Sequence, residues 1–311
     1  MMKEILLPQS LAKGDAIAII SPAGSVEISQ LESTLQLIRS KGYTPVLGEN
    51  TLGKFNNGYS YSGTEEERIK DLNWALNDKE IKAIWASRGG YGCQHLLAGL
   101  KINRFKDNPK WYIGYSDNTV IQSFLLKKGF ASIHGQTIKT SSFGVTQESY
   151  ATIFSILDGN LPSYTLQNHP FNHCGEVKGK LIGGNLALVY ALLGTKYSFQ
   201  FKDSILFIED IGENFYALDR MLMSLELAGV FKQIKGIIIG GMINMGNESE
   251  NPNYEASFDE KAYEIIAYRL RNYDFPQLFT FPNGHIKDNR PLIIGAELNL
   301  TVGNTFSKVD Y

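Results

Sequence analysis

The chain has 311 residues, 43% of them hydrophobic and 20% charged, enough to bury a sizeable core in two domains or one large one. Its 30 lysines and arginines stand against 32 aspartates and glutamates, and the net charge of -2 gives no general attraction to nucleic acid or to an anionic membrane surface. Two cysteines, Cys93 and Cys174, neither in a CxxC spacing, are too few for a disulfide framework.

The opening stretch, MMKEILLPQSLAKGDAIAII, holds only a short apolar run interrupted by Pro8 and Lys13. That is neither the apolar region of a signal peptide nor a spanning segment of about 18 residues, and the expected compartment is the cytoplasm. AIAIIS (16–21) has no alternating polar face, as expected of a strand covered on both sides in a parallel sheet. A helix over 26–39 follows, with Leu31, Leu35 and Ile38 at helical spacing and Gly42 placed to end it in the left-handed conformation. Thr64 and Glu67 form a capping box for a second helix through Trp74 and Leu76, and AIWASR (83–88) is the next strand. WYIGYS (111–116), a helix over 117–128 and FASIHG (130–135) continue the alternation. Strands alternating with helices imply a parallel sheet with helices on both faces.

Residues 161–177 mix Pro, Asn, His and Gly without a sustained period and are read as a linker between an N-terminal domain, 1–160, and a C-terminal domain, 178–311. The second half carries ILFIED (205–210), a helix over 215–227, GIIIGGM (236–242), a helix near 257–271 and a strand-like end, PLIIGAELNLTVG. These predict a smaller mixed domain. NMGNESENPNY (244–254) is a polar loop.

In open parallel sheets ligands collect at the carboxyl ends of strands, which selects SPAG (21–24), SRGGYG (87–92), GYSD (114–117) and HGQ (134–136). Ser116 stands at a tight strand-to-helix turn that lifts its hydroxyl from the sheet and sets the Asp117 amide beside it, a nucleophile elbow in outline. Asn118 occupies the place of the second elbow glycine, and Ser, Asp, Asn and Thr together are also what a helix N-terminus prefers; capping and attack both remain open. Paired glycines in SRGGYG let backbone N–H groups face an anion, Gly90 among them, or simply make a tight turn. A serine also needs a base. His95 reads as a packed or half-exposed helix residue; His169 and His173, with Cys174, have a spacing that a metal could use but lie in the presumed linker without further obvious ligands, so no metal is expected. His134 ends a strand of the same sheet, one strand after the serine, and is a credible substrate contact or base, whereas His285 sits in a Gly, Asn and Pro-rich loop, FPNGHIKDNRP, that tertiary contacts would have to hold. LFIEDIGENF (206–215) ends an apolar run in Glu209, Asp210 and Glu213, of which Glu209 is the first polar position and the one selected to orient a histidine.

SRGGYG, GYSDNT, GGNL (183–186), IEDIGE (208–213) and NGHIKDN (283–289), in this order, resemble the LD-carboxypeptidase family of serine peptidases, which includes muramoyl-tetrapeptide carboxypeptidases and microcin C immunity peptidases. The resemblance runs from the first strand almost to the C-terminus. It implies a flavodoxin-like, or class I glutamine amidotransferase-like, α/β N-terminal domain with a parallel sheet, and a smaller, β-rich mixed C-terminal domain. Carried onto matching positions, it makes Ser116 the nucleophile, His285 the general base and acid, and Glu209 its orienting carboxylate, with the Gly90 and Asp117 amides as oxyanion hole. Arg88, His134, Asn185 and Glu213 become substrate-binding candidates, Arg88 for a terminal carboxylate. Where the family commonly has His-Gly-Pro, this chain has Gln136 after His134 and Gly135.

The implied reaction releases a terminal D-alanine from a cytoplasmic murein tetrapeptide, at a diaminopimelate or lysine L-centre in a crevice between domains. It requires no metal or organic cofactor, no nucleic acid and no membrane, and the family forms homodimers. An immunity-type peptidase acting on a peptidyl or acyl nucleotide would use the same triad. A serine esterase of the α/β-hydrolase type fits the order serine, acid, histidine but lacks the second elbow glycine. A two-domain ligand-binding protein would hold its ligand with the same residues and not react.

Overall fold

The computed structural model describes residues 5–139 and 144–311, so the first four residues of the opening stretch lie outside the described part. The chain divides into two compact units, the first made of Met1–Asn160 with Pro291–Ile293, the second of Leu161–Arg290 with Ile294–Tyr311.

The first unit repeats strand, turn and helix. β1 (Ala16–Ile20), α1 (Glu32–Ser40), β2 (Thr44–Leu47), the short hairpin β3 (Phe55–Asn56) and β4 (Ser60–Tyr61), α2 (Glu65–Asn77), β5 (Ile81–Ala86), α3 (Cys93–Leu96), β6 (Trp111–Gly114), α4 (Thr119–Lys128), β7 (Ser132–His134) and α5 (Gln147–Leu157) follow in order. β2, β1, β5, β6 and β7 lie side by side and pair in parallel. Counting only these five, the order is 2-1-3-4-5, that of flavodoxin-like sheets, as expected. A sixth strand beside β7 is drawn from residues Leu292–Ile294. Ile17 to Ile20 and Ala83 to Ala86 are buried throughout, which is why these runs show no polar alternation.

The predicted helix over 26–39 begins later than its periodicity suggests. Glu27 and Gln30 cap a single 3-10 turn, Ile28–Gln30, and the α-helix proper starts at Glu32. Gly42 takes a φ of +85°, as its position demanded. The capping box of α2 is present in both directions, with the Glu67 N–H donating to Thr64 Oγ1 at 3.3 Å and the Thr64 N–H to Glu67 Oε2 at 2.8 Å. At the other end of α2 a buried lysine acts as cap: Lys110 Nζ donates to Ala75 O at 3.2 Å and Leu76 O at 2.9 Å. Burial lowers its pKa to about 8. Lys110→Ala would leave these two carbonyls unpaired beside a cavity. The expected loss is about 3 kcal/mol, read from the urea unfolding midpoint, with Lys110→Met losing less because the stem's packing is kept.

The second unit contains β8 (Ser163–Gln167), β9 (Gly175–Asn185), α6 (Leu186–Leu192), β10 (Ser204–Ile211), α7 (Phe215–Leu227), β11 (Gly236–Ile243), α8 (Glu260–Leu270), β12 (Gln277–Leu278), then β14 (Glu297–Val302) and β15 (Phe306–Asp310) after β13 (Leu292–Ile294), which belongs to the first sheet. Its sheet runs β12-β11-β10-β9-β14-β15-β8. β9 to β12 pair in parallel, whereas β9 with β14, β14 with β15 and β15 with β8 are antiparallel. The mixed, β-rich character is thus as expected.

The segment read as a linker, 161–177, holds β8 and the first residues of β9. The partner of β8 is β15, at the far end of the chain, so no local pattern announces the pairing. The strand-like end likewise divides: Leu292–Ile294 joins one sheet and Glu297–Val302 the other, with Gly295 at a φ of +95° between them. The polar loop 244–254 is anchored from within by buried Asn251, whose amide nitrogen donates to Asp259 Oδ2 at 2.8 Å. No helix among the described residues is long and apolar enough to cross a membrane.

Candidate active site

In the first unit the chemistry gathers where β5 and β6 end. Tyr115 is still extended, and Ser116 then turns abruptly into a left-handed φ of +63°, one of few non-glycine residues to do so. A 3-10 turn, Ser116–Asn118, leads into α4. The strain is the geometric signature of an elbow. Gly114 is required because a Cβ there would stand 2.8 Å from Asn118 Cγ.

The glycine-rich loop after β5 lies against this turn. A Cβ at Gly89 would come within 2.8 Å of Ser116 Cβ and 3.0 Å of its Oγ. Gly90 has a φ of +117°, and a Cβ there would be 2.1 Å from Tyr59 Oη, so both conformation and space demand glycine. Tyr59 was not among the residues singled out from sequence. It sits between β3 and β4, about 30 residues before Gly90, and only the tertiary fold brings its hydroxyl over the loop.

Asp117 and His134 are buried groups with assigned partners. Asp117 accepts the Cys93 N–H at 2.8 Å; burial raises its carboxyl, while hydrogen bonds from Cys93 pull the other way. His134 is fully buried and its Nδ1 lies 3.0 Å from Gln122 Oε1, while Gln122 Nε2 donates to the carbonyls of Gly114 and Ile133. His134 therefore braces β6 and β7 against α4. The Arg88 guanidinium donates to Ser25 O at 3.0 Å, over the loop after β1. His95 faces Glu65 at 3.4 Å, half-exposed as predicted.

In the second unit the parallel strands again deliver polar groups at their carboxyl ends. Glu209 is fully buried near the end of β10, where the register against β11 shifts between Ile208 and Asp210. A bulge of this kind re-aims side chains. Glu209 Oε2 meets His285 Nδ1 at 2.8 Å. The histidine is presented by a loop after β12 that holds itself: the Asn283 amide donates to Arg290 O at 2.6 Å, and the Gly284 N–H donates to Asn289 Oδ1 at 3.1 Å. Gly284, at a φ of +125°, would with a Cβ press within 2.8 Å of Glu209 Oε2. Gly240 and Gly241 of β11 admit the loop, and the Gly241 N–H donates to Asn283 O at 2.8 Å.

Burial alone would push the His285 imidazole down. The carboxylates of Glu209 and then Asp210 outweigh it, so its pKa lies above the ordinary 6.5. Asp210 is pushed up to about 7, first by burial and next by the charge of Glu209. It accepts from Ile211 N at 2.9 Å, Ala187 N at 3.0 Å and Asn185 Nδ2 at 2.8 Å. Asn185 also caps α6, accepting the Leu188 N–H at 3.3 Å. Glu213 follows on the loop before α7 and is half-buried.

The fold therefore groups the glycine loop with Ser116 and Asp117 in one unit, and Glu209 with His285, Asp210 and Asn185 in the other. His169 packs among Phe171, Tyr263 and Phe279, and Cys174 Sγ donates to Asn304 Oδ1. No group of three or more His, Cys, Asp or Glu side chains among the described residues could hold a metal ion.

Comparison with known proteins sets these two halves in a class. Residues 17–135 match the LD-carboxypeptidase N-terminal domain and residues 178–300 the LD-carboxypeptidase C-terminal domain. The chain belongs to the LD-carboxypeptidase family, serine-type hydrolases built from this pair of domains. Among its relatives, the murein tetrapeptide carboxypeptidase of Pseudomonas aeruginosa is 31% identical, over 88% of this chain and 89% of the relative. The microcin C7 self-immunity protein MccF of Escherichia coli is 26% identical, over 96% of this chain and 94% of its own. The crystal structure of muramoyltetrapeptide carboxypeptidase from Oxalobacter formigenes superimposes with a TM-score of 0.82 at 26% identity, covering 95% of this chain and 98% of that one.

Proposed function

We propose that this chain is a cytoplasmic LD-carboxypeptidase that removes the terminal D-alanine from murein tetrapeptides through an acyl-enzyme. Ser116 Oγ attacks the carbonyl of the third residue while His285 Nε2 takes its proton, and Glu209 at Nδ1 fixes the tautomer and offsets the imidazolium charge. The Gly90 and Asp117 amides receive the developing oxyanion. As the C–N bond breaks, His285 returns the proton to the amine of D-alanine. Water, deprotonated by the same histidine, then attacks the ester and releases the tripeptide and the Ser116 hydroxyl. Arg88 is assigned the free carboxylate of D-alanine, and Asn185, Glu213 and His134 are assigned to the peptide, His134 from its buried place at the end of β7. The enzyme works as a homodimer with no metal or organic cofactor.

The observation that most supports this reading is the buried Glu209–His285 pair at 2.8 Å, which a ligand-binding protein has no need to build. The relatives named for murein tetrapeptides favour that substrate over a nucleotide conjugate. Incubation with matched tetrapeptides ending in D- or L-alanine tests it. Mass spectrometry should find alanine released from the D-form alone, with release from the L-form at least about 10²-fold slower. Equal release from both, or from neither, contradicts the proposal.

A further inference from the structure

The departure of this elbow from G-x-S-x-G is a single residue, Asn118, which replaces the second glycine. Its side chain is fully buried and fully engaged. Oδ1 accepts from Tyr112 Oη at 2.6 Å, and Nδ2 donates to Tyr115 O at 2.9 Å and toward Arg88 O at 3.4 Å. The residue before it reaches the same loop at its opposite end, where Asp117 Oδ2 accepts the Cys93 N–H at 2.8 Å. Arg88 and Cys93 bracket the glycine-rich stretch Gly89, Gly90, Tyr91, Gly92. Two consecutive side chains directly after the serine thus grip both ends of the loop that carries Gly90. Gly89, in between, has no side chain and lies against Ser116 itself.

We infer that the Asp117 carboxylate and the Asn118 carboxamide are positioning residues that set the Gly90 amide relative to the nucleophile, so that the elbow acts as the template for its own oxyanion loop. The inference rests on the serine-hydrolase reading above and adds to it a role for two side chains. Four glycine-rich residues are conformationally loose, and each would lose much backbone freedom on holding an N–H toward one point. Pinning the two ends confines the stretch before substrate arrives, which is the preorganisation that oxyanion stabilisation needs. A glycine at 118 could not do this. Gly114, whose missing side chain leaves room for Asn118, is then part of the same device.

The test compares Asn118→Ala, Asn118→Gly and Asp117→Ala with the parent enzyme. Each is expected to lower kcat about 10- to 100-fold with KM changed less than about threefold, the pattern of an interaction realised in the transition state. The affinity for a tetrahedral phosphonate analogue of the tetrapeptide should fall by the same factor as kcat/KM, while that for the product tripeptide stays within about twofold. Asp117→Asn should recover much of the Asp117→Ala loss, because its amide oxygen still accepts from Cys93 N. If the substitutions lower analogue and product affinity alike, or leave kcat unchanged, the template role is wrong. If Asp117→Ala does not fold, Asn118→Ala decides alone. Absence of turnover and of Ser116 labelling in the parent would instead remove the reaction on which the inference rests.

Discussion

Ser116→Ala is expected to reduce tetrapeptide turnover by on the order of 10³-fold or more and to abolish stoichiometric labelling by a fluorophosphonate. Alanine is the informative replacement because it keeps the left-handed backbone of residue 116, with the same Cβ penalty at a φ of +63°, and removes only the hydroxyl. Ser116→Gly should be equally inactive but more stable, by about 1 kcal/mol, since glycine adopts that backbone without strain. Labelling is read by intact mass and stability by thermal unfolding. Parent-level activity in the alanine variant would end the case for a seryl enzyme. Stabilisation by glycine without activity would show that the strain at this position is maintained for the reaction rather than for the fold.

Glu209→Gln is expected to be nearly as costly, about 10³-fold in kcat, and to change the pH profile in a stated direction. On the proposed mechanism the acidic limb of kcat/KM in the parent reflects His285 losing its proton, and the carboxylates of Glu209 and Asp210 hold that proton above the ordinary range. Removing the charge of Glu209 removes the largest of the raising interactions and leaves burial, which lowers the imidazole pKa. The limb should therefore move to lower pH. Asp210, itself raised to about 7 in part by Glu209, then ionises more readily, and its charge partly offsets the change at His285. A pH–rate series on both proteins checks this. A limb that stays in place, or moves to higher pH, would show that Glu209 does not set the protonation of His285.

Much of the first unit was readable because its signals are local. Thr64 and Glu67 are three residues apart, Gly42 ends a helix that it adjoins, and the buried strands of the sheet carry continuous apolar runs. Ser116, Gly90 and Glu209 could be proposed from where they fall relative to such runs. The assignment of His285 from sequence came from the motif resemblance, since a Gly, Asn and Pro-rich loop carries no period to locate it. The polar content of 161–177 concealed β8 for the opposite reason: alternation over five residues is too short to stand against Pro, Asn and Gly on either side.

Alone, the order of residues determined most helices and buried strands, the alternation of strand and helix and the candidates at the strand ends, because helix caps, turns and buried strands depend on neighbours a few residues away. Only the tertiary structure decided that Ser116 takes a left-handed backbone, that Tyr59 covers Gly90, that Asn118 and Asp117 hold the ends of the glycine loop, and that a bulge turns Glu209 to His285. Apart from the backbone of Ser116, each of these is a contact between segments separated by some 20 to 80 residues, and such a contact exists only when the packing of intervening elements fixes both partners in space.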